Sequence, residues 1–189
     1  MTSAAVVLAA GGGTRFIASG ASTHKLLAPL RGRMVVEWAI EAAGHAGMDE
    51  LIVVTGAVAV PVPANATHLT NHRWGDGQAT SLAVAVEHAR RRGHDRLVVG
   101  LGDQPFLTVG AWRDVAATLT PTHPVSIATY DGVRGQPVGL HDSVWDQIPT
   151  EGDEGARSLL RRPDIAVIEV TCTGSPADID TLEDLARWS

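Results

Sequence analysis

The apolar positions of this chain fall into short continuous runs that alternate with longer amphipathic segments. The short runs are rich in Val, Ile, Leu and Ala without polar alternation, which predicts buried strands at residues 4–9, 51–54, 96–101, 125–129 and 165–170. The longer segments repeat apolar residues every three or four positions, which predicts helices over residues 35–46, 79–91 and 109–119. Alternating strands and helices predict a mostly parallel sheet between two helical layers, a three-layer α/β/α Rossmann-like sandwich.

The chain length and its two irregular segments set the expected organisation. At 189 residues the sequence has the size of one domain, so residues 1–189 are expected to form a single unit. Residues 56–77 and 131–157 are rich in Gly, Pro and polar residues for their length. Long connections of this kind usually carry function. Both segments are therefore predicted to be loops that act as lids.

Charge and cysteine content narrow the expected partners and location. The formal net charge of -6 disfavours a nucleic-acid partner, because phosphate backbones are bound by clustered Lys and Arg. The single cysteine, Cys172, excludes an internal disulfide and fits a reducing compartment, so a cytoplasmic location is expected. The apolar run at the N-terminus has no basic residue before it and is too short to span a bilayer, so we expect no signal peptide and no membrane association.

The first predicted strand runs directly into three glycines, in the stretch AAVVLAAGGGTRF at residues 4–16. Glycines there leave backbone N–H groups open to phosphate oxygens, because no Cβ blocks the approach. The sequence lacks the Gly-Lys-Ser/Thr of a Walker loop, and Phe16 stands where the dinucleotide fingerprint has its third glycine. Arg15 and Lys25 can reach one polyphosphate from two sides. The pattern favours a nucleoside triphosphate, and a tight structural turn with two solvated cations is the alternative.

Two acidic positions are candidates for a metal site. Asp103 follows Gly102 at the end of the strand predicted over residues 96–101, and Asp180 lies in the acidic stretch ADIDTLED. Proteins usually hold Mg²⁺ with one or two carboxylates, together with substrate phosphates and water. Asp103 and Asp180 are therefore predicted to bind Mg²⁺. Thr181 or Asp184 is expected to cap the helix that follows.

The motifs LAAGGGTRF…HKLL, LGDQP, RGQPV, GDEGAR and DIDTLED occur in this order over almost the entire chain. As an ordered set they resemble the MobA-like nucleotidyltransferases, most closely the molybdenum cofactor cytidylyltransferase branch. The resemblance implies Mg²⁺-dependent transfer of a nucleotidyl group from a nucleoside triphosphate to a phosphate ester, with release of pyrophosphate. Arg15, Lys25 and Asp103 are then the expected catalytic residues. The expected nucleotide-binding residues are Ala9, Ala10, Gly11, Gly12, Gly13, Arg15, Lys25, Ser81 and Gly102.

The resemblance also suggests the substrates and partners. The LAAG form of the glycine loop favours CTP over GTP, the implied acceptor is of the molybdopterin type, and the implied recipient is a molybdoenzyme or its chaperone. The sequence departs from the family pattern in four ways: nine residues separate Arg15 from Lys25, Phe16-Ile17 replaces Met-Gly, Leu182 replaces Pro, and Leu140 replaces the more usual Phe. A guanylyltransferase, a sugar-phosphate or polyol-phosphate nucleotidyltransferase, and a non-catalytic cofactor carrier are the alternatives.

One aromatic residue and several histidines remain. Trp74, in the stretch NHRWGDGQATSL, is interpreted as part of a lid beside the nucleotide or the acceptor, with packing in the core as the alternative. His68 and His72 are four apart but are not expected on a helix, so no zinc site is predicted. Three further histidines, on polar helix faces or at helix ends, are expected at the surface: His45, His88 and His94.

Overall fold

The computed structural model describes residues 2–189, which form nine strands and six α-helices. The strands are β1 Ser3–Ala9, β2 Pro29–Leu30, β3 Arg33–Met34, β4 Glu50–Thr55, β5 Thr67–Thr70, β6 Arg96–Leu101, β7 Val125–Tyr130, β8 Val133–His141 and β9 Val167–Thr171. The helices are α1 Thr14–Ala18, α2 Val35–Gly44, α3 Gln78–Arg92, α4 Val109–Ala117, α5 Arg157–Leu160 and α6 Leu182–Trp188. Short 3₁₀ turns occupy Lys25–Leu27, Trp74–Asp76 and Asp142–Gln147.

Seven strands form one sheet in the order β5-β4-β1-β6-β8-β7-β9. The pairs β1–β4, β1–β6, β4–β5 and β7–β9 are parallel, whereas β8 is antiparallel to both β6 and β7. The predicted mostly parallel α/β sheet is confirmed. Because β8 alone is reversed among these seven strands, its amino end lies at the same edge of the sheet as the carboxyl ends of the others.

Helices cover both faces of the sheet, and β1 shows why. Ala4, Val6 and Leu8 pack with α3 on one face, and the alternate residues of β1 pack with α2 and α4 on the other. A strand buried on both faces has no polar alternation, which is the pattern that predicted it. The three predicted helices begin and end within two residues of their observed bounds. In the chain from residue 2 to 189, no helix combines the length and the apolar character needed to cross a lipid bilayer.

Two expectations about the second half of the chain were wrong. Residues 131–157 are not a loop throughout, because β8 occupies nine of them. Its glycines and Pro137 are typical of loops, but Gly139 is required by close packing: a Cβ there would lie 2.3 Å from Ser126 Oγ. The last predicted strand begins at Val167, and it is half-buried because it lies at the edge of the sheet.

A small separate cluster of buried residues ties α1 to the segment that precedes α6. Phe16 and Ile179 are 1% and 0% exposed and share this cluster with Leu30 and Val35. Phe16 therefore anchors α1 in the core, and its neighbour Arg15 is held at a fixed place. Ile179 does the same for its neighbour Asp180.

Candidate active site

A cavity of about 430 Å³ opens at the carboxyl end of β1. Its walls come from the end of β1 and the glycine loop, the Lys25 turn, the Trp74 turn, the start of α3 and the residues after β6. A second cavity of about 440 Å³ lies between α2 and residues 61–65, and it contains none of the residues predicted to act on a ligand. The first cavity is the one at the sheet edge where ligands of parallel sheets bind.

Most of the predicted residues line the first cavity. Its walls include Ala9, Ala10, Gly11, Gly12, Gly13, Lys25, Ser81 and Asp103. Gly102 instead lies behind the wall, where a Cβ would be 3.1 Å from the Cβ of Ala9. Arg15 and Asp180 are not part of the lining, but both connect to it through the ion pairs of Lys25 and Asp180.

Lys25, the single lysine of the sequence, joins two carboxylates that are far apart in the chain. Its Nζ donates to Asp103 Oδ2 at 2.5 Å and to Asp180 Oδ1 at 2.8 Å. All three side chains are largely buried, with 13%, 16% and 12% of their surface exposed. Burial opposes the charge on Lys25, but the two carboxylates outweigh it and raise the pKa of the ammonium group above its usual value.

Arg15 and Asp178 complete the charges around this lysine. Arg15 Nη2 lies 2.7 Å from Asp180 Oδ2, and its side chain is 75% exposed. Burial, followed by repulsion from Asp180 and Asp103, raises the pKa of Asp178 above its usual value. Three acids and two cations thus lie close together at this end of the sheet.

The residues present fit a magnesium ion. Asp103 Oδ1 is buried and, within residues 2–189, has no hydrogen-bond partner, so one carboxylate oxygen is left for a ligand. Over the same residues there is no group of three or more His, Cys, Asp and Glu side chains placed to hold a metal. Mg²⁺ needs fewer protein ligands, because phosphates and water complete its shell.

The glycine loop leaves open space on the ligand side. Around the position of a Cβ at Gly11 there is no atom within 4 Å, and Gly13 has φ +60°, which favours glycine. Gly12 is the exception, because a Cβ there would lie 3.0 Å from the indole of Trp74. The loop can therefore bring backbone N–H groups close to a ligand, as the sequence predicted.

Trp74 lies over the glycine loop, so the alternative that it packs in the core was wrong. Its side chain is 41% exposed and lines the cavity. Arg73 anchors this turn by binding Asp76 at 2.9 Å and Glu151 at 2.8 Å. The backbone N–H of Gly152 also donates to the carbonyl of Asp76. The loop that carries Trp74 and the loop around residue 152 thus hold each other beside the cavity.

Asn71 is a buried residue whose role the sequence reasoning missed. Its Nδ2 donates to Thr80 Oγ1 at 2.8 Å and to Ser81 Oγ at 2.9 Å, and its Oδ1 accepts from the Arg73 backbone at 2.8 Å. Because Ser81 Oγ accepts from Asn71, its own O–H is left to donate to a ligand in the cavity. Asn71 is the first residue of the stretch NHRWGDGQATSL, but the sequence carried no signal for its bond to Ser81.

His24 is a second residue that sequence reasoning missed. Its Nδ1 accepts from the backbone N–H of Leu26 at 3.2 Å, so the proton of the neutral ring is on Nε2. Nε2 in turn donates to the carbonyl of Gly11 at 3.0 Å. The one signal for it in the sequence was its position next to Lys25.

Two histidines expected at the surface belong to a buried cluster at the opposite end of the sheet. His94 is 9% exposed, and its Nε2 lies 2.6 Å from Glu50 Oε2. The side chain of His88 is 15% exposed and bonds Glu50 Oε1 at 2.9 Å. His68 lies on β5 and His72 follows it, so the pair is not on a helix, as expected.

Fold and site together define an α/β protein with a cavity, lined by a glycine loop, at the carboxyl edge of its sheet. Residues 5–167 match the family model described as the MobA-like NTP transferase domain. The chain belongs to the MobA-like NTP transferase family, which supports an enzyme of the nucleotidyltransferase type.

Known proteins resemble this chain in sequence or structure over nearly its whole length. Nicotine blue oxidoreductase from Paenarthrobacter nicotinovorans is 32% identical over 96% of this chain and 94% of its own length. A nucleotidyl transferase from Methanothermobacter (Mth528) has a TM-score of 0.82 at 27% identity, covering 98% of this chain and 95% of its own. Rv0371c from Mycobacterium tuberculosis H37Rv in complex with manganese has a TM-score of 0.78 at 26% identity, covering 100% of this chain and 98% of its own.

Proposed function

We propose that this protein is a Mg²⁺-dependent cytidylyltransferase that transfers CMP from CTP to the phosphate monoester of a molybdopterin-type acceptor and releases pyrophosphate. The observation that supports it most strongly is the position of Lys25 between Asp103 and Asp180, at the wall of the cavity that contains the glycine loop. In this proposal the protein is cytoplasmic, and its product passes to a molybdoenzyme or its chaperone.

In this proposal the nucleotide lies along the glycine loop. Backbone N–H groups of residues 10–13 bind phosphate oxygens, and Lys25 and Arg15 neutralise the polyphosphate. The Ser81 hydroxyl donates to the base or sugar. Asp103 and Asp180 would hold Mg²⁺, which would supply charge neutralisation at the transferring phosphoryl group.

The reaction is an in-line displacement at the α-phosphorus. An oxygen of the acceptor phosphate forms the new P–O bond, and the bond between the α-phosphorus and the bridging oxygen breaks, so pyrophosphate leaves with the electron pair. The second pKa of a phosphate monoester is about 6, so the nucleophile is ionised near neutral pH without a general base. The work of the chain is therefore to position two anions and to stabilise the charge that develops, through Lys25, Arg15 and the loop amides.

The acceptor is proposed to lie beyond Gln78, towards β8 and α5. A narrow extension there is lined by Gln136 of β8, by Arg157 of α5 and by Leu8 and Gln78, which also line the main cavity. Arg157 supplies a cation for the acceptor phosphate. The segments RGQPV and GDEGAR meet at this extension because β8 is antiparallel and begins at the catalytic edge.

The decisive assay is pyrophosphate release by the purified protein with CTP or GTP, Mg²⁺ and either molybdopterin, a sugar phosphate or a polyol phosphate. Release with CTP and molybdopterin that stops when Mg²⁺ is chelated is the expected result. If pyrophosphate is released with GTP but not CTP, or with a sugar or polyol phosphate but not molybdopterin, the proposed substrates are wrong and the reaction class stands. No release with any pair would reject the proposal and favour a non-catalytic cofactor carrier.

A second candidate function is an oxidoreductase. It is favoured by the 32% identity to nicotine blue oxidoreductase, which extends over nearly the whole of both chains. This candidate predicts a change in the absorbance of nicotine blue when the protein is incubated with this dye and a redox partner, without a requirement for CTP. The same protein preparation can be tested in both assays.

A further inference from the structure

We propose that His24 is a positioning residue that holds the glycine loop and the Lys25 turn in fixed relation to each other. The proposal rests on the proposed function, since its consequence is the strength of nucleotide binding. It concerns a side chain that stands outside the catalytic set, and it accounts for the long connection between Arg15 and Lys25.

The geometry of His24 carries the proposal. Its ring donates one hydrogen bond and accepts another. Nε2 donates to the carbonyl of Gly11 at 3.0 Å, and Nδ1 accepts from the backbone N–H of Leu26 at 3.2 Å. The first bond reaches the glycine loop and the second fixes the start of the turn that contains Lys25. The imidazole also fills the space beside Gly13, because a Cβ there would lie 2.8 Å from Nε2.

The link acts across a long connection. Nine residues separate Arg15 from Lys25, and Phe16 anchors the first end of this connection in the core, whereas His24 links the second end directly to the glycine loop. The ion pairs of Lys25 fix its ammonium group to Asp103 and Asp180. The His24–Gly11 bond fixes the glycine loop, which in the proposed function lies on the other side of the nucleotide. Phosphate donors from both segments are then ordered before the ligand arrives, which lowers the cost of binding.

The protonation state of the ring agrees with this role. Burial, together with the positive charge of Lys25, lowers the pKa of His24 below its usual value. The ring is therefore neutral near neutral pH, which is the form that can accept from Leu26 and donate to Gly11 at the same time.

Two matched variants separate the two bonds of the ring. In His24→Gln the side-chain amide nitrogen takes the place of Nε2 and keeps the bond to Gly11, while the acceptor for Leu26 is lost. In His24→Asn the shorter side chain keeps the acceptor for Leu26, as Asn does at helix starts, and cannot reach Gly11. We expect His24→Asn to raise the KM for CTP about five- to tenfold, the usual effect of losing one hydrogen bond, with kcat changed less than twofold. His24→Gln should remain within twofold of the wild type in both constants.

Hydrogen exchange of the backbone amides at residues 11–14, measured in the absence of nucleotide, gives a readout that does not depend on turnover. Exchange should be faster in His24→Asn than in the wild type and unchanged in His24→Gln. The opposite ranking of the two variants, or equal exchange in all three proteins, would overturn the proposal. If the wild type binds no CTP, the proposed function fails, and the exchange comparison still decides whether His24 orders the loop.

Discussion

The two ends of the sheet each hold a largely buried carboxylate, and the two carboxylates differ in how many of their oxygens are hydrogen-bonded. At the amino end of β4, both oxygens of Glu50 have partners: Oε1 accepts from Thr67 and His88, and Oε2 from His94. At the carboxyl end of β6, Asp103 Oδ2 binds Lys25, whereas Oδ1 has no partner among residues 2–189.

The difference in satisfied hydrogen bonds is also a difference in charge. Burial works against the charge of Glu50, but bonds from Thr67, His94 and His88 outweigh it and lower its pKa from 4.5 to about 2. Near Asp103 the neighbouring charges differ, because Asp178 and Asp180 are two further acids and the cation Arg15 is largely exposed. A fully partnered carboxylate stabilises the fold, while a partly partnered one leaves a place for a ligand.

Among the substitutions that test this difference between Glu50 and Asp103, we expect Asp103→Asn to have the largest effect on turnover. The variant keeps the shape and an acceptor for Lys25, and loses one metal-binding carboxylate. Turnover should fall about 10³-fold, because metal binding supplies several kcal/mol of charge stabilisation at the transition state. The thermal unfolding midpoint should change by only a few degrees, since one repelling charge is removed. Steady-state pyrophosphate release checks the turnover, and a melting curve checks the unfolding midpoint. Near-normal turnover of the variant with Mg²⁺ would show that Asp103 does not bind the metal.

Lys25→Met should have the next largest effect. Methionine matches the length of the lysine side chain without its charge, so about 2–3 kcal/mol of transition-state stabilisation should be lost, equivalent to roughly 10²-fold in kcat. The effect should appear in single-turnover measurements with saturating CTP. Arg187→Met, a change at an exposed arginine on α6, is the control and should leave kcat unchanged. Equal rates for Lys25→Met and the wild type would contradict the assignment.

Glu50→Gln tests the other end of the molecule. At pH 7 it should lower the free energy of unfolding by about 2–3 kcal/mol and leave kcat unchanged. The sign follows from the lowered pKa: Glu50 contributes its full stabilisation above pH 4.5, and that contribution is lost as pH falls from 4.5 towards 2. Urea unfolding at several pH values should therefore show the gap between wild type and variant closing over this range. A gap that is constant with pH would show that the charge of Glu50 is not what stabilises the fold.

Ser81→Ala has the smallest expected effect. It removes a single hydrogen-bond donor from the cavity, so kcat/KM for CTP should fall about five- to tenfold. Asn71→Asp is the informative partner, because a carboxylate cannot donate to Ser81 and the hydroxyl then turns to donate to it. Both variants should weaken CTP binding by similar factors in a calorimetric titration. If Ser81→Ala binds CTP as the wild type does, the hydroxyl does not contact the nucleotide.

The strands and helices that follow from periodicity were predictable, and so was the position of Asp103 beside the glycine loop. The apolar runs gave the parallel strands, and parallel strands bring their carboxyl ends to one edge, which places the glycine loop beside Asp103. Strand β8 was not predictable from pattern, because its glycines serve close packing that only the folded sheet defines.

Contacts between side chains of different elements were beyond prediction for a related reason. His88 lies on the polar side of α3 by periodicity, yet Glu50 at the start of β4 lies against that side and covers it. The bond from His24 to Gly11 depends on the path of a long loop, which local sequence does not determine. Trp74 shows the reverse case, since an aromatic residue that pattern would assign to the core is held over the cavity by the Arg73 ion pairs.

The most direct test of the central claim is Mn²⁺ binding, followed by electron paramagnetic resonance as free Mn²⁺ disappears, in the wild type and in Asp103→Asn. Our account predicts that the wild type binds one Mn²⁺ tightly only when CTP is present, and that Asp103→Asn loses at least tenfold of this affinity. Equal Mn²⁺ binding by the two proteins in the presence of CTP would contradict it.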